Sequence, residues 1–179
     1  DTPRFLGHIR KEASRLVNLV EDIIRLSQLD EGVELPVEEV DLLELSEEVA
    51  GILETSAEKK RISLSVSGSG FTVVGVRRLL YESVYNLCDN AIKYNVPDGS
   101  VKISVENRKL TVMDTGIGIP AEHQGRVFER FYRVDKSHSK ASGGTGLGLS
   151  IVKHAVSYHK ATMILESMPG QGTSITIQF

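Results

Sequence analysis

RRLLYESVYNLCDNAIKYN, residues 77–95, is the stretch on which the reading of this chain turns. Wound on a helix at 100° per residue, Glu82, Asn86, Asp89, Asn90 and Lys93 share an arc of about 100°. Leu80, Val84, Leu87 and Ala91 share a narrow arc opposite. The apolar arc docks the helix on a sheet, so the polar arc lines whatever lies beyond it. A solvated surface is the usual fate of such an arc. Solvated faces favour Lys and Glu, however, and two asparagines four residues apart are poor helix formers there. An amide oxygen is a hard, neutral ligand suited to Mg²⁺, which takes few protein groups and completes its shell with water and phosphate. On this stretch alone both readings stand.

Working outward, the pattern alternates between helices and strands. Residues 42–60 form a helix capped by Asp41, with Leu42, Leu45, Val49 and Ile52-Leu53 on one side. Ile62, Leu64 and Val66 alternate, and after a Ser-Gly turn Phe71–Val74 follow, which predicts a two-stranded hairpin. Val101–Val105 and Leu110–Asp114 predict a second hairpin turning at Asn107-Arg108, and residues 145–158 a further helix. Strands around residues 162–167 and 173–179 close the chain. These elements predict an α+β fold, a two-layer sandwich of a mixed, mostly antiparallel sheet covered by helices. Before it stands one long amphipathic helix. Leu6, Ile9, Ala13, Leu16, Val20, Ile23 and Ser27 repeat at alternating three and four spacing, with Phe5, Leu19 and Leu26 widening the seam. Such a helix is marginal alone and needs partners. Two units are therefore expected, residues 1–32 and 33–179. A helix already under way by Phe5 suggests a piece of something longer.

Three glycine-bearing segments flank the polar helix. Asp114-Thr-Gly116-Ile-Gly118-Ile119 follows a strand directly; the glycines permit a sharp turn and close backbone approach to a flat ligand. A carboxylate at a strand end accepts from the exocyclic amine of adenine, a contact guanine lacks. Gly143-Gly144-Thr145-Gly146-Leu147-Gly148 opens a helix, whose free N–H groups and dipole suit an anion. No strand precedes these glycines in a βαβ unit and no Walker lysine follows, so neither dinucleotide nor P-loop fingerprints apply. Gly170-Gln-Gly172-Thr173 is the third segment.

The string Asn86 to Asn95 resembles the asparagine box of bacterial sensor histidine kinases, members of the superfamily that includes gyrase, the Hsp90 chaperones and MutL. The three glycine segments match that family in order and spacing. Phe128-Glu-Arg130-Phe131-Tyr-Arg133 resembles its phenylalanine box, inside a mobile lid. The likeness covers about residues 41–179, and residues 1–32 resemble the second helix of the family's dimerisation and phosphotransfer hairpin. The resemblance implies ATP and Mg²⁺ as cofactors. It makes Asn86 the Mg²⁺ ligand, brings Asn90 and Lys93 to the phosphates and sets Tyr94 near the adenine. Glu82 falls at the acidic position that activates water in ATP-hydrolysing relatives. Around the base it implies Asp114, Gly116, Gly118, Ile119 and, through water, Thr173; along the phosphates, Gly144, Thr145, Gly146, Leu147, Gly148 and Arg130. Phe128 and Phe131 are expected to anchor the lid. Val76 departs from the family's usual aspartate, a natural helix cap.

Implied partners are a response regulator receiver domain and, through the helical hairpin of the full-length protein, a second copy. The resemblance also implies a cytoplasmic domain of a protein anchored in the cell membrane through segments outside this chain. A net charge of −3 gives no footprint for nucleic acid. The single cysteine, Cys88, excludes an intrachain disulfide and reads as an apolar filler. None of the five histidines has the family's phosphoacceptor context. His8 lies on the second hairpin helix, His123 and His138 in the lid, and His154 and His159 after the glycine segment. The nucleophile is therefore expected from outside the chain. Two rivals remain: an ATP-hydrolysing member of the superfamily, and a non-catalytic dimerisation or docking module.

Overall fold

The computed structural model describes residues 35–134 and 145–179, together with Phe5, Gly7, Ile9, Arg10, Ala13, Leu16, Val17, Val20, Ile23 and Ile24, all helical. Among this last group the apolar side chains stand exposed, from 45% at Ile23 to 66% at Phe5, so the face that needs a partner is uncovered in the single chain. The seam positions Leu6, Leu19, Leu26 and Ser27 lie outside the described residues.

In chain order the elements are β1 (Glu38–Asp41), α1 (Leu42–Lys59), β2 (Ser63–Ser67), β3 (Thr72–Gly75), α2 (Arg77–Lys93), β4 (Ser100–Glu106) and β5 (Lys109–Asp114). Then come α3 (Ala121–Gln124), α4 (Gly148–Tyr158), β6 (Thr162–Met168) and β7 (Gly172–Gln178). Five strands form one sheet in the order β2-β4-β5-β7-β6. Only the β2–β4 pair is parallel; the other three pairs run antiparallel. One face of this sheet carries Val101, Ile103, Val105, Leu110, Val112, Ile175 and Ile177, all buried beneath α1, α2 and α4. The other face is open, as Met113 and Ile164 show by being about half exposed. This is the expected two-layer α+β arrangement.

The strand pairing differs from expectation at one place. β2 and β3 form no hairpin: β2 joins the large sheet beside β4, whereas β3 pairs with β1 in a separate two-stranded sheet. The connecting residues are captured by the body of the domain. Gly70 N–H donates to Val105 O, and at Gly68, φ +130°, an added Cβ would meet Val105 O at 2.2 Å. The chain therefore leaves the sheet plane instead of reversing within it. Leu42 N–H donates to Phe71 O, and Asp41 caps α1 through Leu43 and Glu44 N–H, which ties the small sheet to that helix start. Pro36 precedes the edge strand and is not part of it. The β4–β5 hairpin turns as expected at Asn107 and Arg108, both at positive φ, the signature of a type I′ turn.

Helix α2 is the central support. Its buried stripe of Leu80, Val84, Leu87, Cys88 and Ala91 rests in the core. Burial pushes the Cys88 thiol up to about 12, consistent with an inert apolar filler. At its start Val76 provides no side-chain cap and instead is buried with Leu79 and Ala155. Its N–H is satisfied from elsewhere, donating to His159 Nε2 at 3.0 Å while His159 Nδ1 donates to Ala155 O at 2.7 Å. That pattern fixes the neutral Nδ1–H tautomer. At the other end Lys60 Nζ donates to the terminal carbonyls Ile92 O and Lys93 O, a cation at a helix C-terminus.

Candidate functional site

The polar face of α2 forms one wall of a cavity of about 960 Å³, within the range of small-molecule sites. Glu82, Asn86, Asn90, Lys93 and Tyr94 line that wall. Opposite stand Asp114, Gly118, Ile119 and Thr173 from the ends of β5 and β7, with Thr145, Gly146 and Gly148 at the entry to α4. Three sequence-selected residues stand back from it: Gly116 is buried behind Asp114, Leu147 is wholly buried against Ile151, and Arg130 is exposed on the outside. Arg133, three residues on, lines the cavity instead. Gly144 lies outside the described residues, as do Gly143, His8 and His138.

At the end formed by the strands, Asp114 is held through one oxygen. Gly116 N–H and Thr173 N–H both donate to its Oδ1, at 2.7 and 3.2 Å. Burial raises the carboxyl above its ordinary range, and these two hydrogen bonds oppose that rise. Gly172 makes the close approach possible. At φ +103°, an added Cβ there would lie 2.0 Å from Asp114 O. Gly118, φ +70°, leaves room in the same way for Met168 O.

A serine that the sequence did not single out connects these pieces. Ser167 Oγ–H donates to Gly172 O and accepts from Ile119 N–H at 2.8 Å. Having one proton, it leaves Thr173 Oγ1, 2.8 Å away, to donate to it. Gln124 on α3 then donates to both Ile119 O and Ser167 O. The loop is also tied to α2, because Ile117 N–H donates to Tyr94 O. Strand alternation gave Ser167 no distinction from its neighbours; only the pairing of β6 with β7 brings it here.

On α2, the Asn86 amide nitrogen donates to Glu82 O at 2.7 Å, one turn back. That bond orients the group and leaves Oδ1 as the atom presented. Gly148 packs against it: a Cβ at that position would sit 2.8 Å from Asn86 Oδ1. A hard amide oxygen with this space beside it fits Mg²⁺. Among the described residues there is no group of three or more His, Cys, Asp or Glu that would make a cation cage. Lys93 Nζ pairs with Asp89 Oδ2 on the same helix, so this cation already has a carboxylate partner.

The expected lid begins as folded structure. Arg126 stacks over Tyr132 at 4.4 Å from the ring centre, His123 Nδ1 meets Tyr132 Oη at 2.6 Å, and Val127 is buried. The two phenylalanines expected to anchor it differ. Phe131 is 56% exposed at φ +64°, and its attachment is its backbone N–H to Gly146 O, while Phe128 is half-buried. Gly146, itself at φ +77°, lets the two backbones touch and holds the start of α4 back to Gly148.

The family model for the histidine kinase-, DNA gyrase B- and HSP90-like ATPases matches residues 75–179, which include every cavity residue described above. The chain belongs to that ATPase family. Within it, this is the catalytic ATP-binding domain of a two-component sensor histidine kinase. It is 38% identical over 97% of its length to the sensor-like histidine kinase SenX3 of Mycolicibacterium smegmatis, covering 47% of that protein. It is 30% identical to the solved mycobacterial sensor histidine kinase MprB, covering 79% of this chain and 95% of that one at a TM-score of 0.66. The fold also matches histidine kinase ThkA, solved in complex with response regulator protein TrrA, at a TM-score of 0.76 and 24% identity over 98% of this chain and 50% of that one. The chain thus spans about half the length of the curated relatives it matches. Among the described residues no helix is long and apolar enough to cross a membrane.

Proposed function

We propose that this domain binds Mg-ATP and delivers the γ-phosphoryl group to a histidine outside the chain. The observation that carries the reading is Asp114. Two backbone N–H groups hold Oδ1, which leaves Oδ2 to accept the adenine amine at one end of a cavity whose other wall presents Asn86 Oδ1. Asn86 is the residue that would hold Mg²⁺, whose charge offsets that developing on the phosphates. Asn90, Lys93, Thr145, Gly146 and Gly148 surround the phosphates, while Tyr94, Gly118, Ile119 and Thr173 surround the base.

In transfer, the lone pair of an imidazole nitrogen forms the N–P bond as the bond from phosphorus to the β–γ bridging oxygen breaks. ADP departs with that electron pair, and the ring's other N–H proton passes to a neighbouring carboxylate or to water. The full protein then acts as a homodimer through its helical hairpin, is anchored in the cell membrane, and passes the group to a receiver domain of a response regulator. The exposed N-terminal helix supports the dimer. Glu82, on the same wall as Asn86, favours the hydrolytic rival.

The experiment is to incubate the domain with γ-labelled ATP, alone and with a separately made hairpin carrying both helices. Acid-labile, base-stable label on the hairpin histidine is the expected result. Steady release of phosphate with no labelled hairpin would instead favour hydrolysis.

A further inference from the structure

The cavity extends well past the groups assigned to the nucleotide. Helix α2 lines it from Tyr94 back to Arg78, a length of about 24 Å at 1.5 Å per residue, with Asn86 midway. The base lies at the Tyr94 and Asp114 end, so the phosphates run along the helix towards its start and the γ-phosphoryl faces the half beyond Asn86. Attacking and leaving atoms stand roughly in line across the transferred phosphorus. The nucleophile must therefore enter from the side of Arg78, Tyr81 and Tyr85.

That wall is a built surface. Tyr81 and Tyr85, one turn apart, stack at 6.3 Å between ring centres and 18° between planes, both half-buried with their rings lining the cavity. Both also pack against the hydrophobic core beneath α2, and beside them Glu48 of α1 pairs with Arg77 at 2.6 Å. Packing α2 on α1 would need only aliphatic bulk at these positions. Stacked rings with an exposed flank suit an imidazole and the apolar side chains around it. Arg78 lines the same end, one turn before Glu82, and the first turn of α2 holds no acidic residue, so a cation stands at the mouth of this half.

Resting on the proposed phosphotransfer, we infer that Arg78, Tyr81 and Tyr85 form the acceptor-side subsite. It receives a segment that presents an imidazole and carries acidic side chains beside it, and it sets how that segment is held over the γ-phosphoryl. Tyr81 and Tyr85 are positioning residues, since neither touches the reacting atoms.

The test compares wild type with Tyr81→Leu, Tyr85→Leu and Arg78→Glu, leucine being chosen to keep the packing on α1. ATP affinity is measured by calorimetry, and transfer is followed at varied concentrations of the two-helix hairpin. The leucine variants are expected to raise KM for the hairpin about tenfold, with ATP affinity within about twofold of wild type. Arg78→Glu is expected to raise the same KM and to reduce its dependence on salt. An unchanged hairpin KM in all three variants, in a wild type that does transfer, overturns the subsite and spares the kinase reading. Equal loss of ATP affinity and transfer also overturns it, by placing the rings in the nucleotide site. A wild type that binds ATP but labels no hairpin overturns the kinase reading and the subsite together.

Discussion

The two ends of the cavity are built differently. At the base end nearly every fixed point is backbone: Gly116 and Thr173 N–H on Asp114, Ile117 N–H on Tyr94 O, and Ile119 N–H on Ser167. These groups belong to paired strands and a turn closed by Gln124, so their positions follow from the sheet. At the phosphate end the fixed points are polar side chains bonded within one helix, Asn86 donating to the Glu82 backbone carbonyl and Lys93 paired with the Asp89 carboxylate. The far wall there is a chain segment joined to the body through Phe131 N–H and Gly146 O. On the proposed function, base recognition is therefore preorganised, whereas phosphate binding exchanges existing contacts for new ones. Preorganised polar groups contribute more to discrimination, because a wrong ligand leaves them unpaired and buried.

The largest effect expected from this contrast is at Asp114. Asp114→Ala should weaken ATP by roughly 10²–10³-fold and erase the preference over GTP, read by competition titration. A loss below about tenfold would break the claim that the base end dominates.

Acidity sharpens the same point. Burial sets the folded Asp114 carboxyl above its unfolded value, so its contribution to stability is present below the unfolded pKa and is lost as pH rises through the folded one. Adenine binding needs the carboxylate and runs the other way, with ATP affinity falling as pH is lowered through that folded value. Asp114→Asn should remove both dependences. It should raise the melting temperature of the unliganded domain above the folded pKa while leaving ATP binding weak at every pH. An affinity profile flat with pH in the wild type would count against the carboxylate as acceptor.

At the phosphate end, Asn86→Ala should abolish the part of the ATP-induced melting shift that depends on Mg²⁺, on the order of tenfold in affinity, and leave the magnesium-free part intact. Retention of the full magnesium effect would remove Asn86 from its role.

The backbone N–H just before α2 is satisfied by one imidazole, so His159→Ala should cost about 1–3 kcal/mol in denaturant unfolding, the cost of an unsatisfied N–H at Val76. If the phosphate end is the softer one, that change should weaken ATP while the ATP-to-GTP ratio holds. The smallest effect is expected from Asp89→Asn, which frees Lys93 and should tighten ATP a few-fold at low salt, since a partly exposed pair is worth little. No change would mean that Lys93 keeps its carboxylate when phosphate is bound.

Residues whose role is local were legible in sequence. The arc of α2, the Asn107-Arg108 turn and the Asp41 cap follow from helical period, positive-φ preference and a short side chain next to its own helix, and no other part of the chain is needed to predict them. The partner of β2 was not legible, because alternation says which face a strand buries and nothing about which strand lies beside it. That Arg133 lines the cavity, and that Phe131 is exposed, was not legible for a similar reason. The direction of a side chain in an irregular segment depends on where the backbone turns, here at a positive φ on Phe131 itself.

What the sequence by itself determined is a set of groups that line one cavity: the polar stripe from Glu82 to Lys93, the strand-end Asp114 and the glycines that let backbones meet. Their spacing is set by helix and turn geometry, which sequence encodes directly. Tertiary structure alone decided the partners: Ser167 and Gln124 behind the base, and Lys60 and His159 at the two ends of α2. Most of these join elements far apart in the chain. Hydrogen bonds act over a few ångströms, so their members become recognisable only after the core has brought the elements together.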